Sequence, residues 1–240
     1  MALLLLHGFT HTGASWAPVR ATLPERYRAL APDLRGHGSA GAAQPVTLDA
    51  VLEDLAAIAL PEGLTLAGYS MGGRIALHAT LSAGLTGRIQ RLVLIGGSPG
   101  LADPAARAAR RAADARLADE IEGSGIEEFA RRWATSIPVL AGQPAEVFEL
   151  ARQDRLRNTP AGLARALRGL GTGALPSLWE RLGEVQVPVT LVVGERDEKF
   201  TAIADQMAAR LPDARVEVVP GAGHAVHLEA PERVASLLTE

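Results

Sequence analysis

The chain has 240 residues, 48% of them hydrophobic, and is long enough to bury one large core. Its formal net charge of −3 gives no reason to expect nucleic acid or a membrane surface as a partner. It has no cysteine, which excludes disulfides and thiolate metal sites and fits a reducing compartment. We therefore expect a cytoplasmic protein without metal or cofactor, and its oligomeric state stays open.

The first hundred residues alternate apolar strand runs with helical patterns. Strands are predicted at 2–6, 28–31 and 89–95, and another apolar run starts at Leu64. A helix at 16–23 has Ser15 as its predicted N-cap, and a helix at 48–59 has Thr47. Apolar strands separated by helices predict an α/β fold with a mostly parallel sheet flanked by helices.

The pattern changes from about residue 101 to residue 182. Strand runs disappear there, and Ala, Arg, Glu and Leu residues predict four or five helices. Strand patterns return at 187–194 and 215–219, with a helix at 201–210 between them and a last helix opened by Pro231. We therefore divide the chain into a core, residues 1–100 and 183–240, and an inserted helical cap, residues 101–182.

The run that starts at Leu64 leads into Gly68-Tyr69-Ser70-Met71-Gly72, after which apolar residues recur at helical spacing. A strand, a sharp turn and a helix around Gly-x-Ser-x-Gly are typical of a nucleophile elbow. The glycines allow the strand and the helix to pass closely, and the serine hydroxyl then lies above a helix N-terminus. Ser70 is the predicted nucleophile or base.

A serine of this kind needs a histidine to take its proton and a carboxylate to orient the histidine. In sheets with such an elbow, the partners follow in the order Ser, Asp, His on loops after strands. Asp197 follows the strand that ends near Gly194, and His224 follows the strand that ends near 219. The alternatives are that Asp197 only caps a helix or is a surface charge, and that His227 is the base.

An oxyanion hole requires two backbone N–H groups. One is expected from Met71, the residue after the serine. The other is expected from Phe9, because His7-Gly8-Phe9 directly follows the first strand. Only main-chain atoms act in such a hole, so neither side chain needs to be reactive.

These motifs resemble the α/β-hydrolase superfamily over essentially the whole chain. The residues that carry the resemblance are His7-Gly8-Phe9, Gly68-x-Ser70-x-Gly72, Asp197 and His224. The resemblance implies an α/β-hydrolase fold with a helical cap. Members usually have a strand or hairpin before the His-Gly motif, and only six residues precede His7 here. We expect either a sheet trimmed at that edge or a missing upstream start.

A second group of candidates is cationic. Arg74 lies one helical turn after Ser70, and Lys199, the only lysine of the sequence, lies two residues after Asp197. Three arginines share one helix face at the start of the cap, namely Arg107, Arg110 and Arg111. Because arginine binds carboxylates in a bidentate manner, the set implies a small anionic substrate with several carboxylates.

Each of these residues also has a structural alternative. Arg74 could form a buried ion pair that ties its helix to a loop. Arg110 could lie on a solvated face and pair with Asp114. Trp133 could line the cap or serve only in packing.

Further motifs resemble one subfamily, the 2-succinyl-6-hydroxy-2,4-cyclohexadiene-1-carboxylate (SHCHC) synthases of menaquinone biosynthesis. They span core and cap and are Gly68-Tyr69-Ser70-Met71-Gly72-Gly73-Arg74, Ser98-Pro99-Gly100-Leu101, Phe129-x-x-x-Trp133, Arg157-Asn158-Thr159-Pro160, Gly171-Thr172-Gly173 and Gly194-Glu195-Arg196-Asp197-Glu198-Lys199-Phe200. The resemblance implies a lyase that eliminates pyruvate, with the triad as base. By the same resemblance, the substrate-binding residues are Tyr69, Arg74, Arg110, Trp133 and Lys199.

Two other functions remain open from the sequence, because a triad alone does not select the reaction. The first is a serine hydrolase that cleaves an ester or a C–C bond of a small carboxylate-bearing substrate. The second is a ligand-binding receptor on a hydrolase scaffold. An acyl-enzyme at Ser70 would favour the first, and the absence of any turnover would favour the second.

Overall fold

The computed structural model describes residues 2–59, 63–136, 140 and 142–240, with the backbone alone for 134–136. Within these residues the chain forms a six-stranded, all-parallel sheet in the order β2-β1-β3-β4-β5-β6. The strands are β1 (Ala2–Leu6), β2 (Arg28–Leu30), β3 (Leu64–Tyr69), β4 (Ile89–Ile95), β5 (Val189–Gly194) and β6 (Ala214–Val219). The predicted α/β fold and its parallel sheet are confirmed.

Helices follow the strands, as parallel pairing requires. They are α1 (Ala17–Thr22), α2 (Leu48–Ala57), α3 (Met71–Thr80), α4 (Pro104–Ser124), α5 (Ile126–Ser136), α6 (Ala145–Arg155), α7 (Pro160–Leu170), α8 (Glu198–Ala208), α9 (Val226–Glu229) and α10 (Pro231–Thr239). Among the described residues, no helix is both long and apolar enough to cross a bilayer.

The sheet is buried on both faces, because successive side chains of a strand point to opposite sides. Leu4 and Leu6 of β1 belong to one apolar cluster, which includes residues of α2, α3 and α8. Leu3 and Leu5 belong to a second cluster with residues of α1, α9 and α10. This two-sided burial explains why the strands read as continuous apolar runs.

The described part of segment 101–182 contains α4, α5, α6 and α7 and no strand. Its helices share an apolar cluster of their own, which includes Ile121, Phe129 and Leu163. Phe9 of the β1 loop and Trp133 of α5 pack against this cluster and join it to the core. The division into a core and a cap at the predicted boundaries stays a proposal.

Two local predictions were wrong. Ser15 does not cap a helix; its hydroxyl donates to the carbonyl of Thr12 at 2.9 Å. Thr12 caps a short 3-10 helix, Gly13–Trp16, and α1 follows without a side-chain cap. The helix expected at 201–210 begins earlier, at Glu198, because the Asp197 carboxylate accepts from the backbone N–H of Phe200 and starts the helix there.

Candidate active site

Ser70 lies at the turn between β3 and α3. Its backbone has φ 50° and ψ −107°, a strained conformation for a residue with a side chain. The turn is held because the N–H of Ser70 donates to the carbonyl of Ile95 at 2.8 Å. A Cβ on Gly68 would clash with the carbonyl of Gly72, and one on Gly72 would clash with the carbonyl of Leu6. The tight elbow therefore depends on both glycines.

The structure brings Ser70, His224 and Asp197 together in one hydrogen-bonded chain. The Nε2 atom of His224 is 3.1 Å from the Oγ of Ser70, and Nδ1 is 2.6 Å from the Oδ2 of Asp197. Nδ1 donates to the carboxylate, which leaves the Nε2 lone pair to accept the serine proton. The arrangement can convert the serine hydroxyl into a base or a nucleophile.

Asp197 also has the structural role considered as its alternative. Its Oδ1 accepts from the backbone N–H of Phe200 at 3.3 Å, at the start of α8. Its Oδ2 holds His224, so one carboxylate serves both contacts. The Phe200 ring packs on the imidazole of His224 at 4.4 Å between ring centroids.

His227, the competing base, lies elsewhere. It is fully buried, and neither ring nitrogen has a hydrogen-bond partner among the described residues. Its ring packs on Tyr69 at 4.2 Å and on Trp16 at 5.0 Å. Burial holds its pKa well below the ordinary value, so the ring stays neutral and serves in packing.

A cavity of about 580 Å³ opens above the elbow. Of the predicted site residues, all except Asp197 line it, namely Phe9, Tyr69, Ser70, Met71, Arg74, Arg110, Trp133, Lys199 and His224. Asp197 is buried behind His224. Because Gly72 contacts the end of β1, the loop that carries Phe9 adjoins the start of α3 at Met71. The N–H groups of Phe9 and Met71 remain the predicted oxyanion donors.

Arg74 is buried at the cavity wall, with 7% of its surface exposed. One of its terminal nitrogens donates to the hydroxyl of Thr172, and its Nε has no partner among the described residues. Burial and the charge of Arg110 lower the pKa of Arg74 to about 10, so it stays charged at neutral pH. Its alternative, a buried ion pair, is not found within the described contacts.

The other cations differ from Arg74 in their surroundings. Arg110 pairs with Asp114 at 2.7 Å, one turn along α4, and still lines the cavity. Lys199 lies 5.6 Å from the centre of the Phe200 ring and forms no ion pair with the described residues. Arg111 donates to the carbonyl of Gly173 at 3.1 Å and fastens that loop.

The two aromatic candidates combine packing with a place in the cavity wall. Trp133 contacts Phe9 at 5.3 Å and Phe129 at 5.2 Å between ring centroids. The Tyr69 ring lies 5.3 Å from that of His224. Burial raises the pKa of the Tyr69 phenol, which therefore stays protonated. Packing and substrate contact are thus compatible for both residues.

Some cavity residues had no specific role in the sequence analysis. Thr172 lies in the quoted Gly171-Thr172-Gly173 motif, but its bond to Arg74 joins residues that are 98 positions apart. His11 also lines the cavity and bonds Asp154, 143 positions along the chain. Local sequence patterns carry no signal for such long-range pairs. The described residues contain no cluster of His, Asp and Glu side chains suited to a metal ion.

Comparison with known proteins identifies the family. A model of the alpha/beta hydrolase family matches residues 3–237. The chain belongs to this family.

Within it, two relatives are named for the same reaction. A protein of Enterobacter sp. (strain 638), 35% identical over 99% of this chain and 90% of its own length, is named 2-succinyl-6-hydroxy-2,4-cyclohexadiene-1-carboxylate synthase. A Bacillus subtilis (strain 168) protein, 38% identical over 100% of this chain and 89% of its own, carries that name provisionally. The structure of MenH from S. aureus matches with a TM-score of 0.91 and 32% identity, covering 100% of this chain and 92% of that one.

Proposed function

We propose that this protein is a lyase that forms SHCHC in menaquinone biosynthesis, by eliminating pyruvate from a cyclohexene that carries it as an enol ether. Relatives of this name are similar along the whole chain. The observation that carries the proposal is Arg74, a buried cation without a carboxylate partner among the described residues, one turn from Ser70. Such a charge suits an anionic substrate better than a neutral ester.

In the proposed reaction, the triad acts as a base. His224 takes the hydroxyl proton of Ser70, and the serine oxygen removes a proton from a ring carbon of the substrate. The electrons of that C–H bond form the new double bond, and the C–O bond to the enolpyruvyl group breaks. The enolate that leaves gains on carbon the proton that His224 took and becomes pyruvate, so the triad returns to its starting state. No acyl-enzyme forms at Ser70.

Substrate binding is proposed to rest on the cavity wall. Arg74, Arg110 and Lys199 provide three positive charges for a substrate with three carboxylates. Tyr69 and Trp133 provide apolar surface for the ring. The proposed partner is therefore a small anionic substrate. We also propose a cytoplasmic location, which suits a chain without cysteine.

A pyruvate-release assay tests this function. Purified protein is given the enolpyruvyl cyclohexene precursor, and pyruvate is measured with a coupled dehydrogenase. We expect many turnovers, and elimination much faster than cleavage of short activated esters. A burst of ester cleavage with labelling of Ser70 by a phosphonate, and no pyruvate, would instead establish a serine hydrolase. Binding without any turnover would establish a receptor.

A further inference from the structure

A second His–Asp pair lines the cavity beside the triad. His11 lies in the loop after β1, two residues beyond Phe9, and its ring is 5.8 Å from that of Tyr69. Its Nδ1 atom is 3.1 Å from the Oδ2 of Asp154, near the end of α6. Both side chains are buried. The pair joins the core to the cap.

Asp154 is held as a carboxylate by several donors. The backbone N–H of Thr12 donates to it at 2.9 Å and the Thr12 hydroxyl at 2.5 Å, in addition to His11. Burial alone would raise the pKa of Asp154, but these hydrogen bonds outweigh it and keep the pKa below its usual range. An ionised Asp154 accepts hydrogen bonds and donates none. Nδ1 of His11 must therefore carry a proton.

The His11 ring is neutral at pH 7. Burial lowers its pKa below the ordinary value, and the charge of the neighbouring Arg155 lowers it too. The hydrogen bond that Nδ1 donates to Asp154 raises the pKa but does not offset them. Because Nδ1 keeps its proton and donates it in the hydrogen bond to Asp154, Nε2 carries a lone pair and no proton. Nε2 has no hydrogen-bond partner among the described residues, and unlike the ring nitrogens of His227 it is not fully enclosed. His11 thus offers an acceptor at the cavity wall.

A neutral hydrogen-bond acceptor binds a different kind of substrate group from the one that the cations of the cavity bind. A carboxylate oxygen would be repelled by the Nε2 lone pair, whereas a hydroxyl can donate to it. The three cations come from α3, α4 and α8, while His11 comes from the loop after β1. The SHCHC named for the relatives carries two carboxylates and one hydroxyl, on carbon 6 of the ring. The cavity wall therefore offers cations for the carboxylates and a neutral acceptor for the hydroxyl.

We propose that Nε2 of His11 accepts a hydrogen bond from the ring hydroxyl and makes the cavity selective for the hydroxylated ring. This assignment rests on the proposed function and extends it to a specificity-determining residue. His11 binds the ring and takes no proton from it. Asp154 is the positioning residue, because it fixes the tautomer and the orientation of the imidazole.

The test compares two ligands that differ in this hydroxyl. SHCHC has it, while 2-succinylbenzoate, the aromatic acid that results when SHCHC loses water, keeps both carboxylates and lacks it. Dissociation constants are measured by calorimetry for the full-length protein. His11→Asn keeps an amide donor at the position of Nδ1, facing Asp154, and removes the group at Nε2. His11→Gln is the matched variant, because its amide reaches the position of Nε2.

We expect the unchanged protein to bind SHCHC at least about tenfold more tightly than 2-succinylbenzoate, the effect of one hydrogen bond in a partly dry cavity. His11→Asn should abolish this preference, and His11→Gln should keep most of it. A preference that persists in His11→Asn would overturn the proposal. An equal loss in both variants would assign His11 a structural role and overturn it too.

Pyruvate release separates this proposal from the proposed function. Normal release by the unchanged protein, together with an unaltered preference in His11→Asn, rejects the role of His11 alone. A protein that prefers SHCHC through His11 and releases no pyruvate rejects the proposed reaction and supports the binding role. In the active enzyme we expect His11→Asn to raise KM by about tenfold and to change kcat less, since the hydroxyl is not a reacting group.

Discussion

The two halves of the cavity are built differently. On the core side, Ser70, Asp197 and His224 follow three strands of one sheet, and hydrogen bonds link all three side chains. On the cap side, Arg110 and Trp133 project from helices that share a separate apolar cluster. The sheet thus fixes the groups proposed to react. The groups proposed to recognise the substrate are shared between the sheet and the cap.

Main-chain packing at the elbow also differs from that at one position of α4. At the elbow, a Cβ on Gly72 would clash with the carbonyls of Leu6 and His7. In the cap, a Cβ on Gly123 of α4 would meet no atom within 4 Å. The elbow has no room for an added methyl group at Gly72, whereas α4 has room for one at Gly123. We therefore expect substitutions on the two sides to affect different properties.

The largest expected effect is on the core side. Ser70→Ala should lower kcat for pyruvate release by at least about 10³-fold, because the base loses the atom that contacts the substrate proton. Ser98→Ala is the matched control, since Ser98 lines the same cavity and has no bond to His224 in the described contacts. It should change kcat less than about threefold. Near-normal turnover by Ser70→Ala would refute the triad.

A second comparison uses stability. Gly72→Ala should lower the free energy of unfolding by about 3 kcal/mol, because the added methyl group meets backbone that cannot move aside. Gly123→Ala, within α4, should be neutral or raise it by up to about 1 kcal/mol through better helix propensity. Urea unfolding of both variants measures the contrast. Equal effects would show that the close packing at the elbow does not limit stability.

Arg74 and Arg110 allow the two sides of the cavity to be compared for substrate binding. Arg74→Ala should weaken kcat/KM for the anionic substrate by about 2 kcal/mol, since it removes a buried charge-assisted contact. Arg110→Ala should cost less than about 1 kcal/mol, because the Arg110 side chain is 47% exposed and paired with Asp114. Turnover of a neutral ester is the control. If that falls equally in Arg74→Ala, Arg74 has a structural role.

Between pH 7 and pH 5 the pH dependence of stability should come from histidines of the core, because the sequence has no histidine between residues 101 and 182. Burial lowers the pKa of His7 to about 4 and that of His37 to about 3. Between pH 6.5 and about 4 the unfolded chain binds more protons than the folded one, so stability falls as pH falls.

His37→Gln tests this effect with the smallest expected change. As pH falls below about 6, each buried histidine should approach a slope of about 1.4 kcal/mol per pH unit, and His37→Gln should remove one such slope. Urea unfolding at pH 7, 6 and 5 measures it, and the difference in slope is independent of any packing loss in the variant. Identical slopes in both proteins would show that His37 is not the group that titrates.

The sequence predicted the sheet well because its strands are buried on both faces and read as apolar runs. It also predicted which loops would meet, since parallel strands bring Ser70, Asp197 and His224 to one edge. The cap was harder to predict, because pairing between its helices depends on contacts of high sequence separation. The contacts of Thr172 and Asp154 could not be predicted, because their partners, Arg74 and His11, lie far away in the sequence. Ser15 was misassigned because Thr12 offers the better-placed hydroxyl.

The double contact of Asp197 has a consequence for tolerance to substitution. Its Oδ2 holds the imidazole of His224, and its Oδ1 holds the first turn of α8. Asparagine would keep the helix cap but offer no negative charge to the imidazolium of His224. Glutamate would keep the charge but add a methylene group at a position where the native residue is only 5% exposed. Neither residue satisfies both contacts. The position therefore admits a single amino acid for reasons that combine folding with the proposed catalysis. A random mutant library selected for activity should recover aspartate alone there.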